Sequence, residues 1–312
     1  MKKFLVKIVS FLLICSLIYC SVIYSVGNSI EGQSAFNIQY MRGSSGHTYS
    51  RLEDAKVVRD LDILFIGTSL TFRGYDTRIF DQEGIKSFNL GTAGETPQQS
   101  EYLLKKHLKN ISPKLVIYEI NPEWFGNNGS GSAIDIISNM KFLDLASLRM
   151  AVITHDIQVF NTYVYSLMTS ILDNENYLEL NEKNGQIYIK NGGFVESPLK
   201  MYHPESFGIK RLKIKDQQLS AFERSLNFLK DKNISVILVR PPITQTLYTS
   251  FSNNNKIDKL FSSYGEYYNF NKRIKLNDSL HFSDARHLNQ DGVITYNNFF
   301  IEFLKKEKII YN

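Results

Sequence analysis

Hydrophobic positions are distributed very unevenly along the chain. Residues 8–26, IVSFLLICSLIYCSVIYSV, are 19 consecutive positions without a charge. As a helix rising about 1.5 Å per residue, such a run covers a bilayer core of about 30 Å. Lys2, Lys3 and Lys7 flank its start, and the first 30 residues hold no acid, which predicts an N-terminus on the cytoplasmic side and a body outside it. A cleaved signal peptide is the alternative. The run exceeds the usual apolar core of about 7–15 residues, and Tyr19 is too large for the small residue a lipoprotein site needs before Cys20. The expectation is a retained anchor over 1–27, then a glycine- and serine-containing linker over 28–57.

Beyond residue 58 the pattern changes to short apolar runs alternating with amphipathic ones. Residues 62–66 (DILFI), 86–89 (KSFN), 115–118 (LVIY) and 234–239 (ISVILV) read as strands, with 267–270 (YYNF) as a fifth. Leu103, Leu104 and Leu108 share a face after Pro97, which suits the first turn of a helix. Phe222, Leu226 and Leu229 mark a second helix, and residues 290–306 a last one. Strands apolar on both faces, alternating with helices, predict an α/β architecture with a mostly parallel sheet covered on both sides. Residues 125–215 break the rhythm: a polar loop, a helical stretch over 134–172 and loop-like segments at 191–193 and 198–204. They read as an insertion over the sheet, within a body spanning 58–312.

Composition changes this picture little. The 36 basic and 31 acidic residues give a net charge of +5; without the three N-terminal lysines the remainder is near +2, too mild to argue for nucleic acid. Both cysteines, Cys15 and Cys20, lie in the apolar run, so the body has no thiol for a disulfide or for metal ligation. No metal or diffusible cofactor is called for.

Ligands of open parallel sheets bind at the carboxyl ends of the strands. Gly67-Thr68-Ser69 follows the first strand. Asn89-Leu-Gly91-Thr-Ala-Gly94 follows the second, and Glu119-Ile-Asn121-Pro-Glu-Trp124 the third. Asp284-Ala-Arg-His287 precedes the last helix. Together they supply a nucleophile in Ser69, a base in His287 and an orienting acid in Asp284. The backbone N–H groups of Ser69 and Gly94, with the Asn121 amide, are the expected oxyanion donors. Trp124, Thr68, Glu119 and Arg240 are the expected substrate contacts, and Tyr163, Tyr165 and Tyr202 are candidate sugar-stacking surfaces. A second D-x-x-H, Asp278 to His281, lies six residues upstream and offers a competing dyad. The Gly91–Gly94 turn also invites a nucleotide-binding reading, but the first strand's turn, GTSLTF, lacks G-x-G-x-x-G.

In this order the blocks resemble the SGNH/GDSL hydrolase superfamily: Gly67-Thr68-Ser69-Leu70 for its Gly-Asp-Ser turn, NLGTAGET for its oxyanion block and DARHLNQDG for its last block. Thr68 replaces the common aspartate, and the third block reads Glu119-Ile-Asn-Pro-Glu123 instead of G-x-N-D. The resemblance implies a three-layer α/β/α sandwich with a five-stranded, flavodoxin-like sheet. Residues 120–125 (INPEWF) are similar to a segment of the membrane-anchored D-alanyl transfer proteins of teichoic-acid modification. Those proteins and the alginate-type O-acetylation proteins combine an anchor with an extracytoplasmic SGNH domain. The combination implies an acyltransferase or esterase acting on a cell-envelope polysaccharide or teichoic acid through an acyl-Ser69 intermediate, with a membrane-bound O-acyltransferase as donor partner. The contrasting expectation is a non-catalytic SGNH-fold protein that scaffolds a polymer-synthesis complex.

Overall fold

The computed structural model describes residues 1–29, 37–43, 46–172 and 177–310. Five short strands, almost wholly apolar, form its centre. Strands β1 (Ile63–Ile66), β2 (Ser87–Asn89) and β3 (Leu115–Glu119) come from the first half of the chain. Within the insertion lie β4 (Glu182–Lys183), β5 (Gln186–Ile189) and β6 (Phe194–Glu196), followed by β7 (Ser235–Arg240) and β8 (Tyr267–Asn269). The main sheet has the order β2-β1-β3-β7-β8, and every pairing in it is parallel. This is the flavodoxin-like order, whose direction reverses between β1 and β3. The fifth strand expected at 267–270 is β8, paired with β7 through Leu238 and Tyr267.

Alternation along the strands explains why they read as continuous apolar runs. Leu64, Ile66, Val116, Tyr118 and Leu238 face one layer, which includes the helix Pro97–Ile111 and the helix Asp216–Asp231. Ile63, Phe65, Ile117 and Val239 face the other, with Phe80, Val293, Phe300 and Leu304 from the helices Thr77–Gln82 and Gln290–Lys306. Both faces of β1, β2 and β3 and of the second half of β7 are therefore buried, as a three-layer sandwich requires.

The insertion closes where it opened: Lys215 N–H donates to Phe125 C=O at 3.0 Å. It holds the helices Ser130–Asn139, Leu145–Ile153 and Ile157–Leu172, so the expected helical stretch is three pieces. A three-stranded antiparallel sheet, β4-β5-β6, follows. Its turn docks on the end of β2, where Asn89 N–H donates to Gly192 C=O at 2.9 Å.

The N-terminal region differs from the expected linker. The apolar helix runs over Lys2–Ser29, residues 30–36 and 44–45 lie outside the described residues, and 37–57 contain the helix Thr48–Asp54. His47, Thr48, Arg51 and Leu52 are buried there. Arg51 donates to Gly193 C=O at 3.0 Å and to Gly46 C=O at 2.7 Å, and its guanidinium lies 4.1 Å over the Phe72 ring. This part of the stretch belongs to the folded body.

Candidate active site

Strand β1 ends in a turn fixed from below. Thr68 caps the short helix Ser69–Phe72, its hydroxyl accepting from Leu70 N–H at 3.2 Å. Glu119 stands at the end of the neighbouring β3. It accepts from Thr68 N–H at 2.7 Å, the Thr68 hydroxyl at 2.7 Å and the Thr71 hydroxyl at 2.5 Å. Burial pushes the Glu119 carboxyl up, and these hydrogen bonds partly oppose it. The carboxylate thus occupies the underside of the turn, and Ser69 is left half-buried on the outer side.

The loop before the last helix brings His287 to this serine. Phe282 and Leu288 pair across it, and Ser283 N–H donates to His287 C=O at 2.9 Å. Asp284 Oδ1 accepts from the backbone N–H groups of Arg286 (2.7 Å) and His287 (2.9 Å), while Oδ2 faces His287 Nδ1 at 2.8 Å. His287 Nε2 lies 2.7 Å from Ser69 Oγ. Burial alone would raise the Asp284 carboxyl, but the hydrogen bond and charge of His287 and the two backbone donors hold it well below the usual carboxylate range. An ionised carboxylate can only accept. The proton therefore sits on Nδ1, and Nε2 is free to accept from the Ser69 hydroxyl.

Two backbone donors stand unpaired on the loops after β1 and β2. The N–H groups of Ser69 and Gly94 donate to no protein acceptor among the described residues. Gly94 has φ +62°, and a Cβ there would come within 2.9 Å of the Trp124 ring, so the indole lies close over this backbone. The loop is fixed by Glu95, whose carboxylate accepts from Thr92 N–H (2.8 Å), the Thr92 hydroxyl (3.0 Å) and the Ser100 hydroxyl (2.6 Å). Burial pushes the Glu95 carboxyl up to about 8, against those hydrogen bonds. Asn121 precedes the helix Pro122–Phe125 without capping it. It lines a small cavity with Leu70, Glu123, Pro241 and Arg286.

Several expected contacts lie elsewhere. Thr68 and Glu119 are 3% exposed each and bond to each other, so they brace the turn and do not face a substrate. Arg240 is also 3% exposed. It donates to Asn254 at 2.8 Å, pairs with Asp258 at 3.4 Å and lies over the Tyr248 ring, and it lines the small cavity beside Asn121 and Arg286. Tyr163 and Tyr165 are buried in the core, which corrects their reading as sugar platforms. Tyr202 is half-buried. Asp278 and His281 form no dyad. Asp278 accepts from Gln245 N–H (2.7 Å) and Thr246 N–H (3.0 Å), and His281 Nδ1 accepts from Asn277 N–H (2.9 Å).

Two features were not foreseen. Arg286, inside the D-x-x-H block, makes a two-pronged ion pair with Glu123 at 3.0 and 2.9 Å, which joins the third and last blocks across the site. Glu95 was visible only as the acid after Gly94, with nothing to mark it as the clamp of the loop.

No family model matches the chain, and no curated protein matches it. Among solved structures, a candidate acylhydrolase of Bacteroides fragilis shares 11% identity, over 88% of this chain and 99% of its own, with a TM-score of 0.41. A GDSL-like lipase of Bacteroides thetaiotaomicron shares 13%, over 84% and 100%, also with a TM-score of 0.41. Likeness at this level does not speak for the chemistry of this chain, which rests on its own side chains.

Proposed function

We propose that this chain is a serine acyl-transfer enzyme of SGNH type, held at the membrane by its N-terminal helix with its body outside the cytoplasm. In this reading it moves a short O-acyl group on or off a cell-envelope glycan or teichoic acid. One observation carries it: the continuous relay from Asp284 through His287 to Ser69 Oγ, with contacts of 2.8 and 2.7 Å, beside two unspent backbone donors.

The steps follow from that geometry. His287 Nε2 takes the Ser69 hydroxyl proton as Oγ bonds to the ester carbonyl carbon. The carbonyl oxygen becomes an oxyanion and receives the N–H groups of Ser69 and Gly94, with the Asn121 amide as a third donor. Asp284 keeps the imidazole in register and stabilises the imidazolium. Collapse breaks the ester bond, and the departing alkoxide takes the proton back from Nε2. Water or a glycan hydroxyl then attacks acyl-Ser69, giving its proton to the same nitrogen; the acyl–Oγ bond breaks and Ser69 Oγ takes that proton back, releasing the acid or the new ester.

Two small cavities flank Arg286, lined by Leu70, Pro241, Pro242 and Leu288. The anchor favours a substrate confined to the envelope, and a membrane-bound O-acyltransferase is the donor partner this reading calls for.

The test is labelling by a serine-directed fluorophosphonate. Wild type should label and Ser69→Ala should not; equal labelling of both would overturn the assignment. Intact mass after incubation with acetyl and D-alanyl esters would then show which group is transferred to Ser69.

A further inference from the structure

The N-terminal helix does not leave the body as a free stalk. Its last third packs along the helix Ile157–Leu172. Tyr19 donates to Asn161, and Tyr165 donates to Asn28 at 2.8 Å. A Cβ on Gly27 would come within 2.2 Å of the Tyr165 ring, so only glycine lets the two helices approach this closely. Ile23 is buried in the same seam. A transient signal segment has no need of such a seam.

The seam fixes a depth. About 20 helical residues cross the hydrocarbon core. Counted from Lys3 or from Lys7, the crossing ends near residue 23 or 27, so Tyr19 lies roughly 6–12 Å inside the outer boundary. Asn161 is bonded to Tyr19 and shares that depth. The helix Ile157–Leu172 carries no charged residue, and it leaves Ile157, Ile171 and Leu172 exposed; Val152 is exposed on the preceding helix. In water these would be unpartnered apolar side chains. Val152 and Ile157, on the Asn161 side of the seam, face lipid at this depth.

We infer that the helices Leu145–Ile153 and Ile157–Leu172 form a second membrane element, an interfacial dock whose exposed apolar flank is seated in the outer leaflet beside the anchor. This rests on the anchor reading given above. The dock reaches the catalytic edge by one further step. The helix Ser130–Asn139 packs against Ile157–Leu172, and its Ser132 hydroxyl meets the Thr92 hydroxyl at 3.0 Å, on the loop that presents Gly94. The dock would thus hold the site at a set height over the membrane, where a free linker would let it swing.

The experiment uses the full chain in phosphatidylglycerol–phosphatidylcholine vesicles, with Cys15→Ser and Cys20→Ser as background. Single nitroxide labels are placed through Val152→Cys, Ile157→Cys, Leu12→Cys in the anchor and Thr249→Cys on the exposed far side. Collision with oxygen is compared with collision with a water-soluble nickel chelate. The expected ratio at 152 and 157 is several-fold higher than at 249 and close to that at 12. A lipid-like reading at 12 with water-like readings at 152 and 157 would overturn the dock alone. A water-like reading at 12 as well would overturn the anchor and the dock together.

Discussion

Two Asp-x-x-His segments lie six residues apart, and the fold makes opposite use of them. In Asp284–His287 the backbone uses only one carboxylate oxygen, through the N–H groups of Arg286 and His287; the other orients Nδ1. Nε2 is thereby aimed at Ser69. In Asp278–His281 the carboxylate is spent on the start of the helix Gln245–Ser250, and the histidine spends Nδ1 on Asn277 N–H. Identical spacing therefore carries no function by itself. What decides is which atoms the local backbone has already claimed.

The largest effects should separate the two histidines. His287→Gln removes the base and is expected to lower turnover about 10⁴-fold or more, the scale on which members of such triads act. His281→Gln should leave turnover near wild type. Ester hydrolysis by the two variants checks this directly, and reversed outcomes would move the relay to Asp278 and His281. Next comes Asp284→Asn, which keeps the shape but lets the amide face Nδ1 in the wrong protonation pattern. The expected loss is about 10²–10⁴-fold in kcat, with KM little changed, measured by steady-state kinetics.

The contrast also shows what could be read from the chain. The sheet was legible because β1, β3 and the second half of β7 bury both faces and so appear as unbroken apolar runs. The meeting of Ser69, His287 and Asp284 was legible because each follows a strand or precedes a helix in an order that topology brings together. Thr68 and Glu119 were misread for one shared reason. A polar residue after a strand looks available to substrate, but its partners, Thr71 for Glu119 and Glu119 for Thr68, lie far off in sequence. The segment around Thr48–Asp54 failed in the same way. It is polar, yet Arg51 is fully buried because its acceptors are carbonyls of Gly46 and Gly193. The antiparallel sheet of the insertion gave no signal, since β4 and β6 span two and three residues.

A third acid extends the comparison, because burial moves it the other way from Asp284. The Glu95 carboxyl rises from an ordinary value near 4.5 to about 8 in the folded protein. Between those values the folded state binds more protons than the unfolded one, so stability falls as pH rises. The favourable contribution is full below about 4.5 and gone above about 8. Glu95→Gln cannot ionise, and in the neutral range its amide can take the place of a protonated carboxyl against Thr92 and Ser100. Between pH 5 and 9 the variant should gain stability relative to wild type, on the order of a few kcal/mol. Chemical denaturation across that range measures it. Asp135, pushed up to about 7 by burial, adds a slope common to both proteins, so their difference isolates Glu95. Parallel curves would show that Glu95 is already charged in the folded state.

The smallest effect belongs to the Asp278 segment, and it completes the contrast. Both Asp278 oxygens satisfy N–H groups that a helix start leaves unpaired: Gln245 at 2.7 Å and Thr246 at 3.0 Å, with the Thr246 hydroxyl also at 3.0 Å. Asp278→Ala returns those donors to water, a loss comparable to that of a capping residue, about 1 kcal/mol. Turnover should stay close to wild type. The loop that carries His287 is held separately, by Thr244, whose backbone N–H and hydroxyl both donate to Ala285 C=O, at 3.2 and 2.8 Å. A stability loss without a kinetic one, read from denaturation and ester hydrolysis on the same preparation, would establish Asp278 as a structural cap. A kinetic loss as deep as that of Asp284→Asn would erase the distinction between the two segments.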